Sequence, residues 1–292
     1  MTFDLLFYNR ESEPILNVGE MITVVSHNPQ FVVRQVKGGY DFFYENKLTG
    51  VYFMMDYSPE DEAPRFPGFK KTGLSALVNF ARPTYFALEA FPVISGIAES
   101  LSLQVLDDQF SSHAKTPSEC DAKMLTDSWT KSNEWGVRAA WSHGEKMYYM
   151  PREQLDYLWK YLTLTNDLQQ RVDVFVPTKV LAFKEKFGRL VTCCLWPNYM
   201  PQVFPIVDFV LIGAGQAQPQ PSWKVRGFAR LSEIRNALQG IIKEVKEPVQ
   251  HILLSEELAG QTLKTLDQIA LVSPQDFAGV SWDQVVDVPP QQ

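Results

Sequence analysis

The chain is poor in cysteine, in excess basic charge and in long apolar runs, and each shortage excludes a class. Cys120, Cys193 and Cys194 are its only three cysteines in 292 residues, too few for a disulfide framework. On a strand, adjacent Cys193 and Cys194 would point to opposite faces and suit no simple bridge. Reduced thiols point to the cytosol. Lys and Arg total 27 against 34 Asp and Glu, a net charge of −7. A nucleic-acid binder needs clustered bases to neutralise phosphates, so none is expected as partner. No stretch approaches the ~20 apolar residues of a spanning helix. The opening Met1-Thr2-Phe3-Asp4-Leu5-Leu6 has no basic n-region and does not read as a signal peptide. These features predict a cytoplasmic chain without membrane association.

Catalytic and ligand-binding patterns are also scarce. Gly-x-Ser-x-Gly is missing, and Gly73-Leu74-Ser75-Ala76-Leu77 lacks its second glycine. His27, His113, His143 and His251 are widely spaced, and no Cys-x-x-Cys occurs, so no metal is expected. Gly213-Ala214-Gly215 follows an apolar run, but Gln218 stands where a dinucleotide fingerprint needs its third glycine. Pro219 and Pro221 block the helix that should follow, so no cofactor is expected. The apolar neighbours of Cys193 and Cys194 predict raised thiol pKa values and structural cysteines.

What is present is an ordinary globular composition, 45% hydrophobic and 21% charged. The length predicts two domains or one large one. Phe3–Tyr8 reads as a strand and Val18–Val25 as a short amphipathic helix. Tyr40–Tyr44 and Val51–Met55 flank a turn ending in Gly50, which predicts a β-hairpin. Leu74–Phe80 reads as a strand, Thr84–Leu101 as a helix kinked at Pro92, and Leu103–Leu106 as a strand. Thr116-Pro117-Ser118-Glu119 reads as the start of a helix with Met124, Leu125, Trp129 and Trp135 on its apolar stripe. A further helix opens at Pro151. Strands are expected at Val172–Val176, Val180–Phe183, Leu190–Leu195 and Ile206–Ile212. Gly213–Pro221 reads as a loop excursion and Leu231–Val245 as a helix. The pattern predicts an α+β fold: two units, 1–111 and 151–292, each a mostly antiparallel sheet with packed helices, joined by a helical connector over 112–150.

Two acidic groups stand out as partner-binding candidates. Asp56, Glu60, Asp61 and Glu62 form one. Glu256 and Glu257, with Trp282, form a second in the acidic C-terminal stretch. Trp141, Tyr148, Tyr149, Tyr199 and Trp223 are further candidates for exposed aromatics, since aromatic residues dominate binding hot spots. Arg82 and Glu89, around a helix start, read as a partly buried pair that fixes the helix to the sheet.

The string Tyr44-Glu45-Asn46, Thr49-Gly50-Val51-Tyr52-Phe53 and Asn79–Ala90 resembles a pattern in uncharacterised bacterial cytosolic proteins. Trp196-Pro197, Pro201 and Pro205–Val210 extend that resemblance to about half the chain. Some such proteins look like immunity proteins encoded beside polymorphic toxins. The resemblance implies a protein partner and carries no catalytic residue across. The expected function is therefore non-enzymatic: protein binding, in its concrete form an immunity-type inhibitor that occludes a basic toxin through an acidic surface. Two alternatives stay open. One is a hydrolase built from carboxylates such as Asp173, Glu185 or Asp208 in a cleft between the units. The other is a homo-oligomer joined through a strand edge.

Overall fold

The computed structural model describes residues 2–59, 66–107, 116–186, 188–216, 222–257 and 269–290. The chain divides into two units. Met1–Met147 and Val286–Gln292 form unit 1, and Tyr148–Val285 form unit 2. The fold is α+β.

Unit 1 is built on a seven-stranded antiparallel sheet in the order β2-β3-β4-β5-β1-β6-β7. Its strands are β1 (Thr2–Arg10), β2 (Phe31–Val36), β3 (Gly39–Glu45), β4 (Tyr52–Tyr57), β5 (Phe69–Asn79), β6 (Gln104–Asp107) and β7 (Ser118–Glu119). Its helices are α1 (Val18–Ser26), α2 (Tyr85–Ser100) and α3 (Ala122–Ser142). The Asn17 side chain accepts from the Gly19 and Glu20 amides and so caps α1. The hairpin forms where the sequence predicts it, with Gly50 at φ 74°. Phe3, Phe42, Tyr44, Phe53, Met55, Ala76 and Val78 are buried on the helix-covered face. Edge-to-face contacts of Phe3 with Phe80 and Phe91 carry the core from sheet to α2.

The residues expected as a connector are part of unit 1 up to Met147. α3 packs on α2, and its buried Asn133 holds the turn between β5 and α2. Asn133 Oδ1 accepts the Ala81 amide at 2.7 Å and Nδ2 donates to the Arg82 carbonyl at 2.8 Å. Ala81 sits at φ 57°, a left-handed conformation that this clamp maintains. The helix starts later than Thr116–Glu119, which includes strand β7. Asp121 is the cap, accepting the Met124 amide at 2.8 Å. Leu125 and Trp129 face the core, whereas Met124 and Trp135 are exposed.

The tail returns to unit 1 after unit 2. Val286 and Val288 are buried with Val137. Asp287 Oδ2 accepts the Thr84 amide at the start of α2, 2.9 Å away, and the Trp141 indole donates to the Val288 carbonyl. Thr84 makes no side-chain cap, so the tail carboxylate supplies it.

Unit 2 contains α4 (Arg152–Thr163), α5 (Thr165–Arg171) and α6 (Leu231–Ala237). Its strands are β8 (Tyr148–Tyr149), β9 (Val180–Glu185), β10 (Leu190–Pro197), β11 (Gln202–Pro205), β12 (Phe209–Gln216), β13 (Ser222–Arg230), β14 (Lys243–Val245), β15 (His251–Leu254) and β16 (Phe277–Val280). β17 (Val285–Val286) follows. One sheet runs β13-β12-β10-β9-β16, with β10 and β12 parallel, and a second runs β11-β15-β14. Four sequence expectations change here. Val172–Val176 forms one bridge, Phe175 with Gln202, and no strand. Of the expected strand Ile206–Ile212 only Phe209–Ile212 is strand, the start of β12, and residues 206–208 link it to β11. Gly213–Gln216 continues β12 and pairs with Ser222–Val225. The helix from Leu231 ends at Ala237, the chain turns at Gly240 (φ 84°), and Lys243–Val245 pairs with β15 instead.

A buried carboxylate ties the hairpin to α2. Glu89 Oε1 accepts from the Tyr44 hydroxyl (2.9 Å), Asn46 Nδ2 (2.7 Å) and the Thr49 hydroxyl (3.1 Å). Burial and the adjacent Glu89 push the Tyr44 phenol well above its ordinary range, so it stays a donor. Glu89→Ala leaves three buried donors without this acceptor, and a loss of about 3 kcal/mol is expected in urea unfolding. Glu89→Gln keeps an acceptor oxygen and loses about half as much. Equal midpoints for Glu89→Ala and the parent chain would contradict the assignment.

Candidate interaction face

In β2, β3 and β4 the side chains alternate between a buried and an open face. The register Val32↔Phe43↔Met54↔Leu77 lays one apolar residue from each of β2, β3, β4 and β5 in a row across the open face. Val32 is 51% exposed and Phe43 and Met54 are each 37% exposed. The next row reads Arg34↔Asp41↔Asp56↔Ser75, and the Ser75 hydroxyl donates to Asp56 Oδ1 at 2.5 Å. Glu45 lies exposed opposite Tyr52. The face therefore combines an apolar row with the acids Asp41, Asp56 and Glu45 and the bases Arg34 and Arg82. Tyr52 stacks on Phe43, and its hydroxyl accepts from Arg82, whose guanidinium also lies over the Tyr52 ring. Arg82 thus fixes the aromatic that bounds the row.

Asp56 is the one candidate that falls on this face. Glu60, Asp61 and Glu62 lie outside the described residues. Glu256 and Glu257 are exposed just after β15, in unit 2. Trp282 is half-buried, and its indole donates to the Val180 carbonyl at 3.0 Å, which ties it to the start of β9. Among the other aromatic candidates, Tyr149 is exposed, Trp141 bonds to the tail, and Tyr199 accepts from Arg226. Nothing in the sequence separates Phe43 from its buried neighbours Phe42 and Tyr44 except strand alternation.

The carboxylates considered for hydrolysis have different surroundings. Glu185 and Asp208 share Arg189, whose Nε lies 3.3 Å from Glu185 Oε2 and whose Nη1 lies 3.7 Å from Asp208 Oδ1. Asp208 Oδ2 also accepts from the Thr192 amide (2.8 Å), the Thr192 hydroxyl (3.0 Å) and Gln154 Nε2 (3.2 Å). Those donors lock the β10–β12 crossover to the first turn of α4. They engage Oδ2 alone, and Oδ1 faces Arg189. Asp173 is exposed in the segment before β9. A cavity of about 430 Å³ in unit 1 is lined by Arg10, Glu13, Glu99, Glu119 and Cys120. Among the described residues no three His, Cys, Asp or Glu side chains are grouped to hold a metal.

Cys193 and Cys194 are both fully buried, on opposite faces of β10. Burial pushes the Cys193 thiol far up and the Cys194 thiol up to about 12. Burial also raises the partly exposed Cys120 thiol to about 11. Native thiol labelling with an aromatic disulfide at pH 8 is therefore expected to be slow and confined to Cys120. Its rate should rise about tenfold per pH unit up to pH ~10 as the thiolate fraction grows. Unfolded thiols ionise near their ordinary value, so above pH ~9 the unfolded chain holds fewer protons and stability falls with rising pH. Fast labelling of Cys193 or Cys194 in the folded chain would contradict this picture.

No protein family, no curated protein and no solved structure matches the chain.

Proposed function

We propose that the chain is a binding protein that acts by surface complementarity, and that unit 1 presents the contact surface. The observation that carries this reading is the row Val32, Phe43 and Met54, open to solvent and bordered by Asp41, Asp56 and Glu45. Apolar side chains across neighbouring strands supply area for a partner to desolvate, and the carboxylates select a basic one. The net charge of −7 speeds encounter with such a partner and repels acidic ones. An immunity-type inhibitor occluding a basic toxin domain in the cytosol is the concrete form of this function, in keeping with the sequence resemblance.

The test is affinity capture at low salt with the full chain and with Phe43→Asp and Met54→Asp, each checked for native circular dichroism. The parent chain is expected to retain a basic protein. Each variant should weaken that interaction by about 30-fold, the effect of losing a hot-spot contact. Raising the salt should weaken it further by screening the carboxylates. Equal capture by parent and variants would remove the face from consideration. Turnover of a small molecule by the purified chain, abolished by Asp208→Asn, would replace the reading with an enzymatic one.

A further inference from the structure

β2 is the outermost strand on one side of the seven-stranded sheet. It pairs with β3 over six consecutive residues, Phe31↔Tyr44 to Val36↔Gly39, without a bulge. It contains no proline. Bulges and prolines are common devices that stop a strand edge from accepting another strand, and this edge has neither. The parity of its backbone groups follows from the ladder. The Gln30 carbonyl accepts the Glu45 amide at 3.0 Å, and the two-residue turn at Lys37-Gly38 closes on Val36 and Gly39. The even-numbered residues therefore bond to β3, and the amides and carbonyls of Val33 and Gln35 point away from the sheet.

We infer that the basic partner docks by adding an extended segment to the β2 edge, pairing with the backbone of Val33 and Gln35. This rests on the binding function proposed above and specifies how that partner is held. An added strand would place a side chain beside Val32, so an apolar residue there continues the row Leu77–Met54–Phe43–Val32 by one position. Main-chain bonds hold the segment, and its alternate apolar side chains determine which sequence fits. A second copy of this chain is a poorer occupant. It would bring a second net charge of −7 to the contact.

The probe is a ten-residue peptide of alternating valine and lysine, and the readout is residue-resolved hydrogen exchange of the full chain. In the free chain the Val33 and Gln35 amides should exchange at least about 100-fold faster than those of Val32 and Arg34. The peptide should slow both by about tenfold or more at saturation. Gln35→Pro removes one outward donor at an exposed edge position, where proline is tolerated, and should weaken peptide binding by about tenfold. Retained protection of the Val32 and Arg34 amides in that variant shows that the hairpin is intact. Slow exchange at Val33 and Gln35 in the free monomer, no protection by saturating peptide, or unchanged affinity in Gln35→Pro each overturns the inference. Protection that appears with chain concentration alone, together with dimers in light scattering, assigns the edge to a second copy and also overturns it. Peptide protection without capture of any basic protein upholds the edge and removes the proposed function. Capture that depends on Phe43 but leaves Val33 and Gln35 unprotected in the complex does the reverse.

Discussion

A seven-stranded sheet whose β2–β4 region is packed with helices on one side only imposes most of what unit 1 shows. Burying Phe42, Tyr44, Phe53 and Met55 on the helix side forces Phe43 and Met54 to the other side, because strand side chains alternate. A polar residue at either position would satisfy solvent better, yet both are large and apolar. The sheet keeps this arrangement in register through Glu89, which binds three donors around the hairpin turn from the second turn of α2. A one-residue slip would break those bonds and expose the core face at once. The apolar row is therefore held in place by a polar anchor on the opposite side of the sheet.

Unit 2 solves a different packing problem. β10 lies inside its sheet and is buried on both faces over Val191–Cys194, so that stretch reads as a nearly continuous apolar run in which Thr192, Cys193 and Cys194 are all fully buried, while Leu195 beyond it is exposed. Its parallel partner β12 is reached through β11 and the turn at Asp208, where Thr192 and Gln154 converge on a single carboxylate oxygen. Chemistry-bearing residues thus serve as joints. The thiols are kept protonated by burial, and Asp208 is engaged by donors from two elements.

Much of the fold was legible locally. The hairpin, β1, α1, α2 and α4 follow from alternation, capping residues and proline positions. The departures share one cause, the preference of tertiary pairing over local pattern. Leu231–Val245 has helical spacing, but Gly240 reverses the chain and Lys243–Val245 finds a strand partner in β15. Gly213–Gln216 reads as a loop by composition, yet β13 offers it a ladder. α3 looks like a connector until Asn133 is seen holding Ala81 and Arg82. The open face of β2–β4 was half legible. Asp56 stands out in the sequence by its charge, whereas Val32, Phe43 and Met54 resemble core residues in any linear reading. Only the position of the helices decides which face of Tyr40–Tyr44 stays open.

The discontinuity of unit 1 has a consequence for how the protein is made. Val286, Asp287 and Val288 complete its core and cap α2, but they follow the whole of unit 2 in the chain. On a ribosome, the first sheet therefore emerges and waits while the inserted unit is translated and folds. Through that interval the amino end of α2 lacks its carboxylate and the valine slot beside Val137 is empty. Both are supplied only when Val286–Val288 arrive and close the seam.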